Sequence, residues 1–175
     1  MSCNCNTFTS GITKGCTGNK GGIKKLYIAD FCNISGLTLG SPNDTISAIT
    51  MTSGTVFYEF EFNKNSSTFQ EDVTGDQAAG TQINTQTVTL VLARREKTKR
   101  DTLELFKGFK ELAVIVLDSN GIYWLLGEES GMVMTQNVSV SGTAAADPNN
   151  YTLTLIGEET SLANEVEASA VAAVI

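Results

Sequence analysis

The segment Glu111–Glu159, ELAVIVLDSNGIYWLLGEESGMVMTQNVSVSGTAAADPNNYTLTLIGEE, constrains the fold of this chain more than any other. An apolar run leads into Asn120-Gly121, and a second run, Ile122 to Leu126, leads back. Asn-Gly between apolar runs is a strong hairpin signal and predicts a type I′ turn, which needs positive φ at both central residues. Met132 to Gly142 reads as another strand, with Met134, Val138 and Val140 in phase. A turn around Asp147-Pro148-Asn149-Asn150 follows. Tyr151, Leu153 and Leu155 then face one way, and Thr152 and Thr154 the other. Strands joined this way make an antiparallel meander.

A helix is expected just upstream, at about 98–112. Thr98 is its predicted N-cap, with Asp101 three residues on in a shortened capping box. Leu105, Phe109 and Leu112 fall at i, i+4, i+7 and predict one buried stripe. Lys107 and Lys110 sit where cations suit the helix dipole.

Earlier in the chain, Ile23 to Asp30 predicts a strand with Leu26 and Ile28 on one face and Tyr27 and Ala29 on the other. Pro42-Asn43-Asp44 marks a turn, and Ile46 to Met51 a short strand. From Thr55 to Asn63, Val56, Tyr58, Phe60 and Phe62 share a face, with Phe57 the exception among polar residues, read as packed under a loop. Residues 64–80 read as a long loop or a frayed hairpin. Thr81 to Ala93 alternates again, with Val88, Leu90 and Leu92 on one face and a Thr-rich face opposite. The expected organisation is an N-terminal Cys/Asn/Gly-rich arm (1–22), one β domain (23–160) and a tail (161–175). The apolar end of that tail predicts docking rather than disorder.

The chain's 175 residues suit one domain with a real core. No stretch approaches the ~20 apolar residues of a membrane span, so no membrane partner is expected. The N-terminus lacks the basic and apolar regions of a secretory signal, which predicts a protein made in a cytoplasm.

Charge is divided sharply. Residues 1–110 hold twelve bases and ten acids, a net +2, and residues 111–175 hold nine acids and no base, a net −9. Arg94, Arg95, Lys97, Lys99 and Arg100 form a basic knot and are the candidate inter-subunit contacts. A basic patch on one copy that meets an acidic patch on another makes rings or filaments. Overall acidity argues against a protein that grips nucleic acid, though DNA could still slide past such a wall without sticking.

No constellation for catalysis stands out, and no enzyme is expected. The chain has no histidine, which removes Ser-His-Asp and Cys-His chemistry and the commonest metal ligand. Cys3, Cys5, Cys16 and Cys32 are enough for tetrahedral zinc, but their spacing is not that of paired CxxC knuckles. Reduced structural thiols are the leading reading, with disulfide or inter-subunit bridging and zinc as alternatives. No phosphate-loop motif is present, and no cofactor is expected. Asp118, Asn120 and the Asp147 turn lack the ligand count of a calcium loop. The acidic pairs Glu59/Glu61, Glu71/Asp72, Glu128/Glu129 and Glu158/Glu159 read as surface or lumen charge rather than glycosidase carboxylates. Glu128, Glu129, Glu158 and Glu159 are the candidate channel or interface acids. Trp124, the lone tryptophan, reads as core or interface packing.

Three segments carry a family resemblance: DTLELFKGFKEL entering AVIVLDSNGIYWLLGEESGM, the closing VSGTAAADPNNYTLTLIGEE, and the opening CNCN followed by GCTGNKGGIKKLYIADF. Together they resemble the tail-tube and tail-ring structural proteins of tailed bacteriophages, closest to those of gut Bacteroidota phages, including crAss-like ones. The resemblance implies an antiparallel β-sandwich or barrel of the tail-tube type with one flanking helix. It implies homo-oligomeric rings, commonly hexameric or a multiple, assembled in the bacterial cytoplasm and located in the virion tail. Other tail or neck proteins would be partners, and DNA would pass only through the channel. On this reading the 1–22 arm and the 64–80 loop are the candidates for ring-to-ring contacts. A soluble β-sandwich module recognising glycans or a host surface is the alternative.

Overall fold

A computed structural model describes residues 11–12, 14–15, 18–40 and 45–175. The expected Pro42-Asn43-Asp44 turn, and Cys3, Cys5 and Cys16, lie outside the described residues. Among the described residues, eleven strands form two sheets packed as a sandwich, with two short helices. In chain order the strands are β1 (Ile23–Asp30), β2 (Ile34–Leu39), β3 (Ile46–Met51), β4 (Tyr58–Glu59), β5 (Thr68–Asp76), β6 (Thr81–Ala93), β7 (Leu112–Asp118), β8 (Tyr123–Leu126), β9 (Val133–Val140), β10 (Asn150–Glu159) and β11 (Asn164–Val166). Helix α1 (Lys97–Glu104) follows β6, and α2 (Ala168–Ala172) follows β11. The first sheet has the order β2-β3-β11-β8-β7-β1-β4, and the second β5-β6-β10-β9. No helix among the described residues is long and apolar enough to cross a membrane.

The sequence of each strand reflects how many of its faces are covered. The seven-stranded sheet is buried on both sides at its centre, along β7 and most of β1. Its inner face sends Leu26, Ile28, Leu112, Val114, Val116 and Leu126 against Val88, Leu90, Leu92, Tyr151, Leu153 and Leu155 of the second sheet. Its outer face sends Tyr27, Ala29, Ala113, Ile115 and Leu125 against Phe57 and residues around α2. A strand covered on both faces has no solvent position, which is why β7 reads LAVIV without alternation. The four-stranded sheet is covered on one face only, so β6 and β10 alternate apolar with threonine.

The β7–β8 hairpin forms as expected, pairing Leu117 with Tyr123, but its turn is not type I′. Only Gly121 has positive φ (95°); Asn120 does not. The Gly121 N–H donates to Asp118 O (3.3 Å) and the Asp118 N–H to Ile122 O (2.9 Å), a three-residue loop with its left-handed residue last. Asp118 decides the difference: its Oδ1 accepts from the N–H groups of Asn120 (2.7 Å) and Ile122 (2.9 Å). Burial opposes charge on Asp118, but those N–H groups, that of Gly121 and the Trp124 indole outweigh it and hold the carboxyl below its ordinary value. A depressed folded pKa gives stability that is present above the unfolded value, about 3.9, and lost as pH falls through the folded one. The melting-temperature gap between wild type and Asp118→Ala should therefore be widest near neutral pH and shrink below about pH 4. A gap that is constant from pH 7 to pH 3 would count against this.

The flanking helix is shorter than the expected 98–112. It spans Lys97–Glu104 and is capped at Glu96 rather than Thr98, without a side-chain cap bond. Positive φ at Gly108 (82°) and Phe109 (57°) ends the helical path. The buried pair is Leu103 and Phe106, with the Phe106 ring 5.7 Å from that of Phe60. Leu105 (65% exposed) and Phe109 (74%) face outward, contrary to the expected stripe. The expected Thr55–Asn63 strand shrinks to Tyr58–Glu59. Phe60 and Phe62 are partly buried on the inner side, whereas Phe57 is buried on the outer side. Val138 and Val140, expected in phase with Met134, are exposed, because a bulge between Met134 and Gln136 shifts the phase of β9. The expected 161–175 tail supplies β11, an interior strand of the seven-stranded sheet, and α2, which covers that sheet.

Candidate functional site

The outer face of the four-stranded sheet lies outside both buried cores described above. Register and alternation place Thr85, Thr87 and Thr89 of β6 beside Thr152, Thr154 and Ile156 of β10, all half-buried. Gln70, Asp72, Thr74 and Asp76 of β5 flank them on one side, and Gln136 and Val138 of β9 on the other. The charged residues of this face are Asp72, Asp76 and Glu158; its four strands contain no Lys or Arg.

Among the described residues no strand pairs with the outer side of β5 or β9, the two edges of this sheet. β9, VMTQNVSV, carries no charge and no proline, the usual devices that keep an edge strand from pairing with another chain. β5 extends the sheet into a projecting hairpin with β6, exposed from Asp72 to Ile83. The 64–80 segment is thus a hairpin rather than a loop. Its turn is held by Asp76 Oδ1, which accepts from the N–H groups of Ala78 (2.8 Å) and Ala79 (3.3 Å). Val73 and Ile83 are exposed on this arm.

The basic knot lies at the opposite end of β6 from the arm. Thirteen residues of strand separate these poles by roughly 40 Å. Arg94 has φ 62° and its N–H donates to Asn149 O (2.7 Å). The Arg95 N–H donates to Asn149 Oδ1 (3.2 Å), and its guanidinium lies 5.8 Å from the Tyr151 ring. Lys97 pairs with Asp101 one turn on. Lys99 pairs with Glu96 (2.7 Å) and donates to Ala93 O (2.7 Å), and its ammonium holds the Glu96 carboxyl below its ordinary value. Among the described residues no carboxylate pairs with Arg94, Arg95 or Arg100, which are exposed.

The four candidate acids come together where the β8–β9 connection meets the end of β10, but in different roles. Glu159 (3% exposed) accepts from the N–H groups of Glu129 (2.9 Å) and Ser130 (3.2 Å) and from Ser130 Oγ (3.2 Å). Glu129 returns the contact by accepting from the Thr160 N–H (3.2 Å) and hydroxyl (2.6 Å). Glu128 accepts from Asn164 Nδ2 (2.8 Å). Glu158 alone is free on the open face. Glu71 joins this clasp, accepting from the Ala163 N–H (2.8 Å) and from Asn84 and Gln86 (both 3.3 Å). Buried Gln86 in turn accepts from the Gly127 N–H (2.9 Å). Asn84 and Gln86 had no signal beyond being polar residues in phase with Val88 and Leu90.

Chemistry is sparse elsewhere. Among the described residues no group of three or more His, Cys, Asp or Glu is placed to hold a metal ion. Glu59 pairs with Lys25 (3.1 Å), and Glu61 is exposed. Cys32 is a free, exposed thiol. Trp124 is half-buried near Phe69 at one end of the sandwich. An apolar cleft of about 630 Å³ lies between β4 and α1, lined by Val56, Tyr58, Phe60, Leu105 and Phe106, with the Asp30–Lys110 pair (2.8 Å) in its wall. No protein-family model matches the chain, and no similar protein was found among curated sequences or solved structures.

Proposed function

We propose that the protein is a non-enzymatic virion component, a self-assembling subunit of a bacteriophage tail tube, neck or tail ring around the DNA-ejection channel. The observation that carries this reading is the four-stranded sheet: two edges unpaired among the described residues, and an outer face whose strands carry no Lys or Arg. Its strands alternate in direction and are even in number. When β9 of one copy meets β5 of the next, the pairing stays antiparallel and every junction repeats the last. Such a heterologous contact closes into a ring when its rotation allows. The open face then lines the lumen, and its threonines, Asp72, Asp76 and Glu158 give passing phosphates no cation to hold. The strand ends become the two rims of the ring. The acidic arm leaves from one rim, and Arg94, Arg95 and Arg100 lie at the other, so stacked rings bring opposite charges together.

Negative-stain microscopy of the concentrated protein should show rings or short tubes. Val138→Lys places a charge on the unprotected edge at an exposed position. It should leave the fold intact by circular dichroism and abolish rings. Arg94→Glu with Arg95→Glu should spare single rings and shorten stacks. A wild-type protein that stays monomeric at every concentration, alone or with tail partners, would overturn the reading. A soluble module that recognises glycans or a host surface is the second reading, favoured by the cleft beside exposed Tyr58. Glycan-array binding by a monomer would support it.

A further inference from the structure

The seven-stranded sheet has a topological bottleneck. Among the described strands, the β2–β3 hairpin pairs with the rest of the sheet only through β11, which lies between β3 and β8. The pairing of β11 with β3, Val166 opposite Ile46, is the only parallel one among the described strands, and its pairing with β8 covers Asn164 to Val166. Beyond β11 the Glu167 N–H donates to Ile46 O (2.9 Å), and the Phe57 N–H donates to Val174 O (2.7 Å). Val166, Ala170, Val171 and Val174 are buried in the outer core.

We propose that the slot between β3 and β8 is a strand-acceptor site, filled in the free subunit by its own residues 164–174 and able to take the same segment from a second copy. Three observations support this. Every strand that holds β11 is remote from it in sequence, so an identical segment from another chain satisfies the same partners. Exchange of an identical element is a low-cost route to an oligomer. The lead-in, Thr160 to Leu162, is exposed and lies outside both sheets, as a hinge must. The closed form is held at that hinge by Glu129 on Thr160, Glu71 on Ala163 and Glu128 on Asn164, carboxylates bonded to N–H and hydroxyl donors rather than to cations. That clasp is separate from the apolar anchor, so it can open while the slot keeps its shape. The four residues between β10 and β11, Thr160 to Ala163, span at most about 14 Å, so donor and acceptor must be touching neighbours.

Cross-linking between full-length chains tests the idea. With Cys3, Cys5, Cys16 and Cys32 replaced by serine, one variant carries Glu165→Cys and another Trp124→Cys, positions paired across β11 and β8. The two are mixed at high concentration, warmed, cooled and oxidised. A covalent dimer formed by the mixture and by neither variant alone is the expected result, and Glu129→Ala should raise its yield several-fold. A chain carrying both cysteines should cross-link within itself, which checks that folding and register survive. Efficient internal cross-linking of that chain, with no dimer from the mixture, would overturn the proposal. Rings seen by microscopy without any cross-linked dimer would sink the exchange and leave the ring reading standing.

Discussion

Phe57→Ala should destabilise this protein by about 3–5 kcal/mol, the usual cost of emptying a fully buried phenylalanine site. Phe57 is 2% exposed and packs in the outer core with Ile46, Val171 and Val174, where its N–H also bonds Val174 O. The cavity would open under the segment that joins β2–β3 to the sheet, so collapse around it would be poor. Phe60→Ala and Phe62→Ala, at partly buried inner positions, should each cost less. Urea unfolding with unchanged slope measures all three. If either inner variant proved costlier than Phe57→Ala, the assignment of faces along this segment would be wrong.

Glu158 and Glu159 are neighbours with the same side chain and should behave as opposites. Glu159→Ala leaves the N–H groups of Glu129 and Ser130 without their acceptor, at about 1–3 kcal/mol for each donor that water cannot reach, while the Ser130 hydroxyl keeps Glu158 O (2.7 Å). Part of that turn is exposed, so a total near 2–4 kcal/mol is expected. Glu158→Ala, on the open face, should stay within about 0.5 kcal/mol. Glu158→Lys should likewise fold normally but place a cation on the face proposed to line the channel. Thermal melts of the variants separate the two roles. Equal destabilisation by Glu158→Ala and Glu159→Ala would mean that the clasp is not what holds the end of β10.

Much of the fold was legible where the local pattern alone marks a strand and separates its two faces. β1 and β6 run over Ile23–Asp30 and Thr81–Ala93 as their patterns predict, with the predicted faces. Segments whose burial depends on distant partners were only partly legible. Phe57 reads as packed under a loop, and it is buried, but nothing nearby announces that α2 and Val174 are what cover it. Leu105 and Phe109 looked buried because helical spacing says nothing of a helix that stops before Gly108. The candidate acids were legible as a cluster of charge, but not as three clasp residues and one exposed face residue.

By itself, the sequence determined the class of this protein. Short-period alternation and turn chemistry lead to an antiparallel β-rich chain, and local spacing suffices for that. The segment Glu111–Glu159 needed no more than pleat and turn geometry to declare its strands. Only the tertiary structure decided which strands share a sheet, that β11 completes the larger one, and that the smaller keeps a face free of bases between two edges unpaired among the described residues. Those outcomes depend on pairings between residues far apart in the chain, which neither spacing nor composition encodes.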